Sequence, residues 1–121
     1  MRKTILLVDD NPKIRKLLSR LLEAGPDYDI CAQAADGKEG LDLAQKYHPD
    51  LIILDLSMPV LNGLDAAKQL KKILPEVPII LFTQYPDLGK HLRRTDLPVD
   101  QVVSKSDSQA LVRQIRSILP V

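Results

Sequence analysis

The chain has no tryptophan, one phenylalanine and three tyrosines among its 121 residues. An aromatic fraction of 3% leaves no stacking platform for single-stranded nucleic acid. An excess of one charge is also lacking, and a net charge of +1 sets up no field that would gather nucleic acid or an anionic membrane. The single cysteine, Cys31, excludes an internal disulfide and a multi-cysteine metal site, and its setting, DICAQAA, suits a small buried residue. No apolar run approaches the length of a membrane span. The opening MRKTILLVDD faintly imitates a signal peptide, but its apolar run is only Ile5 to Val8 and ends in two acids. The remainder, 45% hydrophobic and 27% charged residues, is the composition of a globular protein, and the length fits one domain over residues 1–121. The expected location is the cytoplasm.

Short apolar runs alternate with helical spacing. ILLV (5–8) precedes a stripe of Ile14, Leu17, Leu18, Leu21 and Leu22. Asn11 then Pro12 reads as an N-cap with proline at the first helical position, and Gly25-Pro26 as the stop. A weaker strand, DICAQAA (29–35), leads to Asp36 and Glu39, spaced as a capping box for a helix that ends at His48-Pro49-Asp50. LIIL (51–54) is a third strand, and Asn62-Gly63 can open a third helix through Leu64, Ala67, Leu70, Ile73 and Leu74. VPIILF (77–82) is a fourth strand, residues 86–95 a weak helix containing Gly89, and VDQVVS (99–104) a fifth strand. Ser106 and Gln109 fit a capping box for a last helix with Leu111, Val112, Ile115, Ile118 and Leu119 on its apolar side. Strands that are continuous apolar runs imply a parallel sheet covered on both faces. With right-handed crossovers, these units predict an α/β fold: a flavodoxin-like doubly wound five-stranded parallel sheet, order 2-1-3-4-5, with about five helices.

The chemistry lies at the carboxyl end of each run. ILLV ends in Asp9-Asp10, LIIL in Asp55, IILF in Thr83 and QVVS in Lys105. Carboxyl ends of parallel strands share one edge, and ligands bind there near the switch point between the first and third strands. Three carboxylates, a hydroxyl and an ammonium are thereby gathered into one cleft. Crowded carboxylates repel one another until a cation enters. Oxygen donors without His or Cys select a hard ion, Mg²⁺ first, which keeps several waters and takes phosphate oxygens. Lys105 suits a phosphoryl oxygen or Asp55 itself, and Thr83 can donate to the same oxygen. These are the parts that phosphoryl transfer to an aspartate requires. Singly, each residue has a plainer reading: Asp9 or Asp10 as a helix cap, Thr83 as a strand end, Lys105 as a solvated lysine. Asp55 resists one, because the cap candidate for the next helix is Asn62, seven residues on.

The segments LLVDD (6–10), ADGKEGL (35–41), LIILDLSMPVLNG (51–63), PIILFT (78–83) and VVSK (102–105) together resemble the receiver domain of two-component response regulators. The pattern D-x-x-M-P-x-x-x-G falls on Asp55, Met58, Pro59 and Gly63, with the acidic pair, the threonine and the lysine in order around it. The resemblance implies a receiver domain over residues 1–121 in which Asp55 accepts a phosphoryl group from a sensor histidine kinase or phosphotransfer protein. It also implies that Asp10 and Asp55 ligate Mg²⁺ with the backbone carbonyl of Ser57, and that Asp9 acts through water. Lys105 would pair with the phosphoryl group, and Thr83 would move toward it as the switch. Such a domain turns over no external metabolite and catalyses only its own phosphorylation and dephosphorylation. Its expected partners are the kinase, a DNA-binding output domain beyond residue 121 or a separate protein, and a second copy through the face of the 86–95 helix, fifth strand and last helix.

The departures are informative. Receivers usually carry an aromatic residue on the fifth strand that rotates inward with the threonine, but Val102 and Val103 stand there, and Tyr85 is the nearest aromatic. Ser106 replaces the usual proline after the lysine. Gln84 is long and polar where a small residue is usual, and it is expected to shield the phosphoaspartate from water. Lys90, His91, Arg93 and Arg94 crowd the weak helix, as a solvated face or as a docking surface. The SDSQALVRQIRSIL tail resembles receivers fused to helix-turn-helix output domains. Three rivals compete: a phosphorylation-independent pseudo-receiver, favoured by the missing aromatic; a haloacid-dehalogenase-type phosphatase, which needs an acid where Ser57 stands; and a flavin mononucleotide carrier, for which DDNPK has the wrong charge.

Overall fold

The computed structural model describes residues 2–56, 58, 60–85 and 99–120. The apolar runs are its strands: β1 (Lys3–Val8), β2 (Tyr28–Ala34), β3 (Leu51–Leu54), β4 (Ile79–Thr83) and β5 (Gln101–Ser104). Between and after them lie α1 (Pro12–Glu23), α2 (Gly37–Tyr47), α3 (Gly63–Ile73) and α4 (Ser108–Ile118). Adjacent strands pair in parallel in the order β2-β1-β3-β4-β5, as the pattern of runs predicts. Four helices lie among the described residues; the helix expected over 86–95, with its basic cluster, falls outside them.

Local signals set the helix ends. Asn11 Oδ1 accepts from the Lys13 N–H at 2.9 Å, with Pro12 opening α1. Asp36 accepts from the Glu39 N–H at 2.8 Å, and the Glu39 carboxylate accepts from the Ala35 N–H at 2.8 Å, a reciprocal arrangement close to a capping box. Asn62 caps α3 through the Asp65 N–H. The last helix departs from expectation, because Asp107 and not Ser106 is its cap, accepting from the Ala110 N–H at 2.9 Å. The cause is a turn: the Asp107 N–H bonds the Ser104 carbonyl at 3.0 Å, which leaves Ser106 inside the turn with its hydroxyl 2.7 Å from that of Ser104.

Burial on both faces explains the unbroken apolar runs. Leu6, Val8, Ile52, Leu54, Ile79 and Leu81 pack with Ala44 of α2 and Ala66, Ala67 and Leu70 of α3. The alternate residues Ile5, Leu7, Leu51, Ile53, Ile80 and Phe82 pack on the other face with Leu18 and Leu22 of α1 and Leu111 and Ile115 of α4. At the amino edge of the sheet, Asp50 accepts from the Thr4 N–H and Asp100 from the Ile79 N–H, each at 2.8 Å, so two strand starts are capped by carboxylates. The opposite edge is left to carry the polar cluster. Among the described residues, no helix is long and apolar enough to cross a membrane.

Candidate functional site

The sheet ladder runs one residue beyond three strands. Asp9 N–H bonds the Ala34 carbonyl at 3.0 Å, Asp55 N–H the Val8 carbonyl at 2.9 Å, and Lys105 N–H the Thr83 carbonyl at 2.8 Å. Side chains alternate along a strand, so residues two apart share a face. Leu7, Ile53 and Val103 all pack toward α1 and α4. Asp9, Asp55 and Lys105 each stand two residues further on, and this shared parity sends all three side chains to the same side. Lys105 Nζ accordingly lies 2.9 Å from Asp9 Oδ2 and 3.3 Å from Asp55 Oδ1.

All three side chains of that bridge are nearly buried. Burial is the largest single influence on the Lys105 ammonium and pushes its pKa down. The hydrogen bonds and attraction of Asp9 and Asp55 together outweigh it, and the pKa ends above the ordinary lysine value. The lysine is therefore a fixed cation at neutral pH. Asp9 is held further by the Asn11 N–H on its other carboxylate oxygen at 2.9 Å.

Asp10 is exposed, whereas Asp9 and Asp55 are buried. One carboxylate oxygen from each of the three lies within 4.8 Å of the others. This oxygen-only donor set, open to water on the Asp10 side, fits a hard divalent cation that retains waters. Ser57, whose carbonyl is expected to complete the set, lies outside the described residues.

A cavity of about 170 Å³ opens at this edge, lined by Asp10, Asp55, Thr83, Gln84, Tyr85 and Lys105. Four strand ends thus meet at one opening, while Asp9 lies in the same cluster and is tied to Lys105. Thr83 ends β4, fully buried, and its Oγ1 accepts from the Tyr85 N–H at 3.0 Å. On β5, Val102 is half-buried against the α2–α3 face and Val103 is buried on the other, so no aromatic stands on this strand, and Tyr85, which lines the cavity after β4, is exposed.

The segment after Asp55 is held by close packing at two glycines of the quoted motifs, Gly63 and Gly37. The Gly63 N–H bonds the Leu56 carbonyl at 2.9 Å, and a Cβ on Gly63 would collide with the carbonyl oxygen of Asp55. Gly37, at the start of α2, meets the Leu61 carbonyl in the same way. Between these two anchors Val60 is exposed and holds a φ of 68°, a strained value for a β-branched residue. Arg15 of α1 has no sequence signal, and its Nη1 donates to the Asp9 carbonyl.

Residues 5–116 match the family model of the response regulator receiver domain, and the chain belongs to that family. Among curated relatives, it is 38% identical over 120 residues to the probable transcriptional regulator ycf27 of Porphyridium aerugineum, covering 98% of this chain and 48% of that one. It is 39% identical over 85 residues to the protein-glutamate methylesterase/protein-glutamine glutaminase of Pyrococcus horikoshii, covering 70% of this chain and 23% of that one. A two-component response regulator of the LuxR family from Aurantimonas sp. SI85-9A1 superposes with a TM-score of 0.89 at 32% identity, covering 98% of this chain and 86% of that one. The chain spans about a quarter to a half of the length of the curated relatives it matches. The part shared with the methylesterase is confined to 23% of that enzyme's length, and the fold and family are those of a phosphorylation-controlled signalling module.

Proposed function

We propose that this chain is a Mg²⁺-dependent phosphoacceptor switch in which Asp55 takes a phosphoryl group from a sensor histidine kinase or phosphotransfer protein. The observation that carries this reading is the meeting of Asp10, Asp55, Thr83 and Lys105 around one cavity at the carboxyl edge of the sheet. A carboxylate oxygen of Asp55 attacks phosphorus, the bond from phosphorus to the donor breaks, and the donor departs with that electron pair. Lys105, already charged and within reach of Asp55, meets the charge on the phosphoryl oxygens. Asp10 and Asp55, with the Ser57 carbonyl, would hold Mg²⁺, and Asp9 would act through water. The ion supplies charge neutralisation and alignment of the phosphoryl oxygens when bound.

Phosphorylation adds about −1.5 to −2 charge at neutral pH. The Thr83 hydroxyl, which lines the same cavity, is a neutral donor that can answer it. Because Thr83 Oγ1 is tied to the Tyr85 N–H, movement of the hydroxyl disturbs the turn that leads into the residues after Thr83. With valine on β5, the signal is carried by this turn. The domain catalyses only its own phosphorylation and dephosphorylation, works in the cytoplasm, and controls a DNA-binding output domain or a separate partner, with dimerisation through the β5–α4 side.

Incubation with Mg²⁺ and acetyl phosphate, followed by intact-mass measurement, tests the reading. One added phosphoryl group is expected, lost without Mg²⁺ and lost in Asp55→Ala. No adduct on the wild-type chain would favour the phosphorylation-independent module that the valine on β5 also suits.

A further inference from the structure

Arg15 sits four residues into α1 and turns back toward the end of β1, where its Nη1 donates to the main-chain carbonyl oxygen of Asp9 at 2.6 Å. Every other polar group of Asp9 is also engaged. Its N–H bonds the Ala34 carbonyl at 3.0 Å, one carboxylate oxygen accepts from the Asn11 N–H at 2.9 Å, and the other faces Lys105 at 2.9 Å. The carbonyl that Arg15 grips belongs to the peptide joining Asp9 to Asp10. A peptide is planar, so fixing its carbonyl direction fixes the N–H and the Cα of the next residue. Asp10 is the exposed member of the carboxylate trio, with less packing to orient it than Asp9 or Asp55. A guanidinium bond to a carbonyl is charge-assisted and stronger than a neutral one.

We infer that Arg15 is a positioning residue for the divalent cation, orienting the Asp9–Asp10 peptide so that the Asp10 carboxylate faces the ion. This inference rests on the cation site proposed above. Arg15 has two opposed influences on a dication, and their signs separate them. As a positive charge near the site it repels the ion, so its removal alone would tighten binding. As the clamp on the peptide it preorganises a ligand, so its removal loosens binding. Partners that orient metal ligands typically contribute 10-fold or more in affinity, enough to exceed one partly screened repulsion.

Isothermal titration of the full chain with Mg²⁺ alone, without phosphodonor, decides the sign. The variants are Arg15→Met, Arg15→Lys and Asp10→Asn. Methionine keeps the stem and the helix propensity while removing charge and donors. Arg15→Met is expected to bind Mg²⁺ about 10-fold more weakly than wild type even though the site has become more negative. Arg15→Lys, which can still donate to the carbonyl, is expected to recover most of that loss. The metal-free thermal midpoint checks folding, and if Arg15→Met does not fold, Arg15→Leu replaces it with the same outcomes. Equal or tighter Mg²⁺ binding by the uncharged variant, with Asp10→Asn still abolishing binding, overturns the positioning role alone. Absence of binding by wild type, or no effect of Asp10→Asn, overturns the cation site itself.

Discussion

Gly63, eight residues after Asp55 in the chain, packs directly on the carbonyl oxygen of Asp55, and no room remains between them for a side chain. Since the Gly63 N–H also bonds Leu56, the start of α3 is locked to the end of β3. Gly63→Ala should therefore lower the unfolding free energy by about 1–3 kcal/mol, the usual cost of forcing a methyl group into a filled site. Gly25 is the control. Nothing lies within 4 Å of a Cβ built there, so Gly25→Ala should be neutral or stabilise by about 0.4–1 kcal/mol through the unfolded chain. Urea denaturation of both variants checks the contrast.

The Lys105 bridge gives a second expectation. Replacing it with methionine leaves two buried carboxylates without their cation, at a cost of about 3 kcal/mol in Mg²⁺-free buffer. Added Mg²⁺ takes over part of the neutralisation. The Mg²⁺-induced rise in thermal midpoint should thus be larger for Lys105→Met than for wild type. A variant as stable as wild type without the ion would show that the bridge contributes nothing to the fold.

Gln84 lines the cavity together with Asp55 and Thr83, where its long amide side chain is expected to shield Asp55 from water. Gln84→Ala should shorten the life of the phosphoaspartate several-fold, measured by the loss of phosphoprotein mass after donor removal. Slower loss in the variant than in wild type would mean that the amide assists hydrolysis.

Tyr28 supplies the pH dependence. It is buried, and its hydroxyl donates to the Leu119 carbonyl at the end of α4 at 2.9 Å. Burial raises its pKa, Arg116 pulls it down less strongly, and Asp27 adds to the rise. A folded-state pKa above the unfolded one gives stability that is fully present below the ordinary value of 10.0 and is lost as pH climbs through the raised value. Tyr28→Phe should be about 1 kcal/mol less stable at neutral pH. The gap should narrow above pH 10.0, where wild type alone bears the cost of keeping the phenol protonated. Cys31, whose thiol is also raised by burial, titrates alike in both proteins and cancels in the difference. A gap that stays constant with pH would contradict the assignment.

Much of the architecture is legible in the residues because burial on both faces of the sheet leaves unbroken apolar strands such as Leu51 to Leu54. Asn11, Asp36 and Asn62 are readable as caps because each has an acceptor side chain just before a helical stripe. Asp107 is not, because Ser106 beside it is an equally good cap and only the turn from Ser104 decides between them. The positions of Asp9, Asp10, Asp55, Thr83 and Lys105 at one edge follow from strand parallelism alone. That Lys105 lies closer to Asp9 than to Asp55 does not, since it depends on side-chain placement across a pairing register. Arg15 leaves no trace for a simpler reason: it acts on a main-chain carbonyl, which every residue has. Gly63 is legible as the last residue of the D-x-x-M-P-x-x-x-G pattern, but not its packing on the Asp55 carbonyl.

The most direct test of the switch is chemical location of the phosphoryl group. The chain is phosphorylated with acetyl phosphate and Mg²⁺, the acyl phosphate is reduced with borohydride, and the peptides are sequenced by mass spectrometry. Reduction converts a phosphorylated aspartate to homoserine and leaves other residues unchanged. The predicted result is homoserine at position 55 and at no other aspartate. Homoserine at position 9 or 10, or unmodified Asp55 in protein that has gained a phosphoryl group, would contradict Asp55 as the acceptor.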